Sequence, residues 1–232
     1  MERLDKILSS TGRWSRREVK DLIRGGRVTV DGLPAASPED KTERGSDIRV
    51  DGEAVSCAQY TYLMLHKPTG LVSATDDPRE ATVLSLLPEH LRKIGLFPAG
   101  RLDKDTVGLL LLTNDGALAH DLLAPQKHVD KTYLVRVEGT FEGADIRAFQ
   151  EGLPLADGYT CLPADLEVLG KNEALVTLHE GKYHQIKRMC AARGKPVVFL
   201  KRLTFGPLTL DESLEPGEWR ELTAKELEEL KA

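Results

Sequence analysis

The segment richest in chemistry runs Gly100-Arg101-Leu102-Asp103, then Lys104-Asp105-Thr106-Val107-Gly108, then Leu109–Leu112 and Thr113-Asn114-Asp115-Gly116. A carboxylate on a loop just ahead of an apolar strand is held rigidly beside low-dielectric core. That is how an acid gains a fixed position and a tuned acidity. Arg101, two residues away, neutralises it or points at phosphate. Taken alone, Arg-Leu-Asp suits a loop residue capping a turn equally well. The second such segment is His179-Glu180-Gly181-Lys182-Tyr183-His184-Gln185-Ile186-Lys187-Arg188-Met189. It looks briefly like the zinc motif H-E-x-x-H, but the second histidine comes five residues after the first. That spacing sends the imidazoles to different helical faces, and Gly181 weakens a helix there, so a metal site is rejected. Gly181 is read instead as a turn, with His184, Gln185, Lys187 and Arg188 offering donors and positive charge to an anionic ligand. The chain has no Gly-rich phosphate loop, no Ser-His-Asp context and no dinucleotide fingerprint. What remains is chemistry without a cofactor, resting on one carboxylate and several cations.

The elements that must position these residues follow from periodicity. Leu4, Ile7 and Leu8 recur at helical spacing and predict a short first helix. Ser15-Arg16-Arg17-Glu18 reads as a capping box opening a second helix, with Val19, Leu22 and Ile23 on one face. Arg17, Lys20 and Arg24 form a stripe on another face, and Gly25-Gly26 ends the helix. Val28–Val30 closed by Asp31-Gly32, and Ile48–Val50 closed by Asp51-Gly52, read as strand and turn. From Tyr62 onward the pattern becomes mixed. Strands are predicted at Tyr62–Leu65, Leu109–Leu112, Tyr133–Val137, Ala174–Leu178, Val197–Leu200 and Leu208–Leu210, and helices at Val83–Leu87, Ala117–Leu123, Ala144–Glu151 and Ala224–Leu230. This arrangement predicts an α+β fold with a mostly antiparallel mixed sheet flanked by helices, preceded by a small module of helices and short strands. The expected domains are residues 1–58 and 59–232.

Charge is unevenly placed. The net charge of −5 hides eight basic against four acidic residues in Met1–Val30, and seven basic with no acidic residue in Gly181–Arg202. The acid gathers in the tail after Asp211, read as a solvated helix. Two basic runs are the footprint of a polyanion such as nucleic acid. With 232 residues, 41% hydrophobic and 30% charged, the chain builds a packed core and is not disordered. Apolar runs such as Leu109–Leu112 fall far short of the roughly 18 residues that span a bilayer. The start Met-Glu-Arg-Leu-Asp-Lys-Ile has no apolar stretch, so no signal peptide and a cytoplasmic protein are expected. Cys57, Cys161 and Cys190 lack metal or redox spacing and are expected to be small buried side chains.

Four motifs in order are similar to those of an RsuA-type pseudouridine synthase: Lys67-Pro68-Thr69-Gly70; Gly100-Arg101-Leu102-Asp103 with Thr106 to Gly116; Lys131-Thr132-Tyr133-Leu134-Val135; and Glu180 to Met189. The N-terminal module resembles the S4 RNA-binding domain that precedes the catalytic domain in these enzymes. The resemblance covers nearly the whole chain. It implies that a uridine in folded RNA is isomerised to pseudouridine without metal or nucleotide cofactor. Asp103 falls on the family's essential aspartate, whether it attacks C1′, attacks the base or removes a sugar proton. It must be ionised, so a basic partner is expected, first Lys187 and then Arg188. Tyr133 matches the active-site tyrosine that packs on the target uracil. Arg101 is expected to fill the space left by the flipped base or hold the backbone. RNA contacts are expected from Arg16, Arg17, Lys20 and Arg24, and from Lys182, His184, Gln185 and Arg188. Tyr183 to Met189 and Ser73-Ala74-Thr75-Asp76-Asp77-Pro78 resemble the small-subunit branch. The implied partner is therefore 16S rRNA or a small-subunit assembly intermediate, at uridine 516 of the usual numbering, met by a monomer that touches no membrane. Alternatives are the same reaction on a 23S rRNA uridine, or an inactive RNA-binding assembly factor.

Overall fold

Ser15 fixes where the second helix begins. Its hydroxyl accepts from the Glu18 N–H while the Glu18 carboxylate accepts from the Ser15 N–H, so two otherwise unpaired donors are satisfied together. The structure is a computed structural model describing residues 1–124, 127 and 129–232, which form two compact units. The first takes in Met1–Thr61 and Leu84–Phe97, the second Tyr62–Val83 and Pro98–Ala232.

The first unit contains β1 (Glu2–Arg3), α1 (Leu4–Ser9), α2 (Arg16–Arg24), β2 (Val28–Val30), β3 (Leu33–Pro34), β4 (Lys41–Thr42), β5 (Ile48–Val50), β6 (Glu53–Ala54) and the short α3 (Glu89–Arg92). Leu4, Ile7, Leu8, Val19, Leu22, Ile23, Val28, Ile48 and Val50 are buried together, so both helices turn their apolar stripes onto the sheet β3-β2-β5-β6. Asp31 and Gly32, and again Asp51 and Gly52, all have positive φ, as a two-residue hairpin turn matching strand twist requires.

The second unit is built on β7 (Tyr62–Lys67), β8 (Phe97–Pro98), β9 (Val107–Thr113), β10 (Lys131–Val137), β11 (Asp165–Gly170), β12 (Glu173–Leu178), β13 (Val197–Arg202) and β16 (Trp219–Glu221). They form one sheet in the order β11-β12-β10-β13-β9-β7-β16, with β8 paired to β9. A small hairpin of β14 (Thr204–Phe205) and β15 (Leu208–Thr209) follows β13. The helices are α4 (Gly116–Leu123), α5 (Gly143–Glu151), α6 (Gln185–Ala192) and α7 (Ala224–Lys231). Strands β7 and β9 are central and buried on both faces, which is why they read as unbroken apolar runs instead of alternating ones. Only β13 and β9 run parallel on this path.

Several elements depart from the expectation. Val83–Leu86 is a 3₁₀ turn, because Pro88 lacks the N–H that a continuing helix needs. Helix α6 follows the Gly181 turn in a stretch for which no helix is predicted; Ile186, Met189 and Cys190 bury one face of it. Strands β11 and β16 are not foreseen, because β11 is a largely exposed sheet edge and β16 is an edge of only three residues, and neither leaves an apolar alternation. All three cysteines are buried and unpaired. Among the described residues no helix is long and apolar enough to cross a membrane.

Gly108 is required where β9 leaves the Asp103 loop. Its φ is +106°, and a Cβ there would lie 2.2 Å from the Arg202 carbonyl oxygen. Gly116, at the start of α4, has open space around it. Gly108→Ala is expected to cost about 2–5 kcal/mol in urea unfolding, whereas Gly116→Ala gains about 0.5–1 kcal/mol. Equal effects of the two would contradict this assignment.

Candidate active site

The Asp103 loop is held by its backbone before any side chain is considered. Leu102 is buried, and its N–H and C=O both bond to the buried Ser73 hydroxyl, at 3.0 and 2.9 Å. Lys67, at the end of β7, is fully buried. Its Nζ donates to the carbonyls of Asp103 at 3.0 Å, Thr106 at 2.9 Å, Pro68 at 3.0 Å and Lys104 at 3.4 Å. The Thr106 N–H donates to the Asp103 carbonyl and the Gly70 N–H to that of Lys104. Burial pulls the Lys67 pKa down to about 8, against the opposing pull of Asp105 and Asp103.

With its backbone fixed, Asp103 presents a partly exposed carboxylate to α6. Lys187 Nζ lies 2.9 Å from Asp103 Oδ2 and 2.5 Å from Asp105 Oδ1, and His184 Nε2 lies 3.5 Å from Asp103 Oδ1. Burial lowers the Lys187 pKa, but hydrogen bonds to Asp105 and Asp103 outweigh it, and the net direction is up. The Lys187 hydrogen bond in turn holds Asp105 below the usual carboxylate range. Asp105 was not among the expected site residues; its only signal was its place two residues after Asp103. His184 caps α6 with positive φ, and its ring stacks on Tyr183.

Tyr133, at 9% exposure, belongs to a single row across four strands: Tyr133 is paired with Arg202, Arg202 with Gly108, and Gly108 with Lys67. Tyr133 is thus two strand spacings from the start of β9, roughly 10 Å. Arg202 is buried in that row; its Nε donates to the Leu109 carbonyl at 2.7 Å.

The remaining expected contacts divide. Arg101 is exposed and has no ion pair among the described residues. Lys182 is exposed, with its ammonium 5.1 Å from the Tyr159 ring centroid, and Arg188 pairs with Asp157. Gln185 is turned inward, unlike the other expected contacts. It is buried, its Nε2 donates to Glu180 at 2.6 Å, and its Oε1 accepts from the Lys182 N–H, so it braces the turn and offers nothing outward. Glu180 also accepts from the Tyr159 hydroxyl, and His179 pairs with Asp130, so His179, Glu180 and His184 face three different partners. In the first unit, Arg16, Arg17, Lys20 and Arg24 are all exposed on α2, with Arg24 paired to Asp21.

Residues 61–192 match the family model described as RNA pseudouridylate synthase, and residues 2–48 match that of the S4 domain. An uncharacterised RNA pseudouridine synthase of Bacillus subtilis is 46% identical over 97% of this chain and 96% of its own length. The ribosomal small subunit pseudouridine synthase A of Escherichia coli K12 is 41% identical over 97% of this chain and 98% of its own. A crystal structure of a pseudouridylate synthase superposes with a TM-score of 0.71 at 38% identity, covering 99% of this chain and all of that one.

Lys67→Met removes the donor shared by four carbonyls and leaves them buried. Urea unfolding is expected to show a loss of about 2–4 kcal/mol, with faster amide exchange at Thr106. A loss under about 1 kcal/mol would mean that the ammonium does not hold the loop.

Proposed function

The chain belongs to the RNA pseudouridylate synthase family, in its RsuA-type branch with an S4 domain ahead of the catalytic domain, and on that premise we propose that it converts one uridine of 16S rRNA, position 516, to pseudouridine as a cytoplasmic monomer. In this reading residues 1–58 bind RNA and residues 59–232 carry the reaction. The observation that carries the proposal is the Asp103–Lys187 pair on a loop pinned from below by Lys67. The choice of small-subunit RNA is supported by the 41% identity to relatives named for that substrate.

The target base must leave the RNA stack before its glycosidic bond is reachable, at a cost of a few kcal/mol. The C1′–N1 bond then breaks, the uracil turns, and a C1′–C5 bond forms. The proton lost from C5 is balanced by one gained at N1, so the product is an isomer and no co-reactant is consumed. Asp103 supplies the carboxylate that starts bond cleavage, and Lys187 counters its charge. Tyr133 packs on the uracil and helps to move the C5 proton. Arg101, exposed two residues before Asp103, takes the space the uracil leaves. Arg16, Arg17, Lys20 and Arg24 on α2 contact the backbone of helical RNA, and Lys182, His184 and Arg188 contact RNA around Asp103.

Purified protein incubated with 16S and 23S rRNA transcripts, bare and loaded with ribosomal proteins, is expected to give one carbodiimide-dependent primer-extension stop, in 16S rRNA. A stop in 23S rRNA alone would overturn the substrate. Salt-dependent binding without a stop in any RNA would overturn the activity and favour an assembly factor.

A further inference from the structure

Tyr183, stacked on His184, is left unused by the reaction as described. Tyr183 is 77% exposed, far more than any other aromatic residue named here. Its ring lies parallel to that of His184, with centroids 3.8 Å apart and an interplanar angle of 17°. His184 holds this position with φ +49°, a left-handed conformation that side-chain-bearing residues adopt rarely. The edge of the His184 ring carries Nε2 to 3.5 Å from Asp103. One face of that ring is covered by Tyr183. Two rings are therefore already stacked, the inner one touching the carboxylate and the outer one open to solvent.

We propose that Tyr183 is a base-stacking residue, and that its open face receives the nucleobase immediately beside the target uridine. The inference rests on the RNA-modifying reading above and deepens it. An occupant with a flat π-face fits, because stacking on an aromatic ring tolerates any base. RNA fits better than a protein partner because of the surrounding charge. Lys182 precedes the ring, Lys187 and Arg188 follow one turn later, and the Arg188 guanidinium donates to the Tyr183 carbonyl at 3.4 Å. From Gly181 to Arg202 the sequence carries seven basic residues and no acidic one. Lys187 and Arg188 pair with carboxylates from other segments, while the exposed Lys182 forms no ion pair among the described residues and offers its charge to a phosphate beside the stacked base. The neighbouring base fits better than the target uracil because His184 stands between Tyr183 and Asp103. The reacting sugar must touch Asp103, so its own base lies on the near side of the pair. Such a contact draws the strand out beside the site and keeps the vacated stack from closing.

The test uses two short RNAs spanning the modified uridine, carrying 2-aminopurine on its 5′ or its 3′ side. Wild-type protein is expected to quench one of the two probes, Tyr183→Phe to retain that quenching, and Tyr183→Ala to lose it. For Tyr183→Ala the dissociation constant and KM rise roughly tenfold, while the saturating single-turnover rate stays within about twofold. A merely structural role would not be rescued by phenylalanine with that division between KM and rate. Unchanged quenching and KM in Tyr183→Ala would overturn the inference. A collapse of the saturating rate with affinity intact would overturn it too, by placing the ring against the reacting uracil. Wild-type protein that quenches a probe yet forms no pseudouridine would contradict the proposed function while supporting the stacking contact.

Discussion

A single ammonium, buried beyond the reach of water, organises the site. Lys67 Nζ is shared among the carbonyls of Pro68, Asp103, Lys104 and Thr106, so a loop that would otherwise sample many conformations has its backbone fixed on both sides of Asp103. Burying a cation without a carboxylate in contact is costly, and the four carbonyl dipoles are what offset that cost. The dependence is mutual, because without the lysine the Asp103 and Lys104 carbonyls would keep only one donor each, the Thr106 and Gly70 N–H groups, and those of Pro68 and Thr106 would lose the ammonium. The consequence is that the Asp103 side chain needs no structural partner of its own and is available to face Lys187 and His184.

The sheet converts that local constraint into an arrangement for chemistry. The one parallel junction on the sheet path joins β13 to β9 through only two register pairs, and one of them sets Arg202 against Gly108. Lys67, Gly108, Arg202 and Tyr133 then share a row across four strands. A larger residue at 108 would collide with the Arg202 backbone, so the glycine permits the junction and the junction sets the spacing between the Asp103 loop and Tyr133. Helix α6 closes the other side. Its apolar face is buried by Ile186, Met189 and Cys190, and this rotation turns Lys187 toward Asp103 and Asp105.

What was legible in the sequence is what local physics decides. The Ser15–Glu18 box, the two Asp-Gly turns and the apolar β9 each rest on a few adjacent residues, and each is found where periodicity and turn chemistry predicted. Asp103 stood out because a carboxylate abutted a buried strand, and Lys187 was expected as its partner; the two are 2.9 Å apart. Features that depend on distant parts of the chain were less visible. Lys67 was recognised only as part of a motif, because its burial is set by a loop 36 residues away. Gln185 looked like a ligand contact because polarity does not reveal that a side chain is turned inward onto Glu180. Edge strands β11 and β16 show no apolar alternation to read, since β11 is mostly exposed and β16 is only three residues long.

In this enzyme-family reading, a fixed carboxylate at position 103 performs the chemistry while other residues bind the RNA. Comparing wild type with Asp103→Asn on the same 16S rRNA substrate tests it most directly, because the substitution keeps the shape of the side chain and removes its charge. The asparagine variant is expected to bind RNA with an affinity within about threefold of wild type and to form no detectable pseudouridine, a loss of at least roughly 10⁴-fold in single-turnover rate. Pseudouridine formed by the variant at a rate near that of wild type would contradict it.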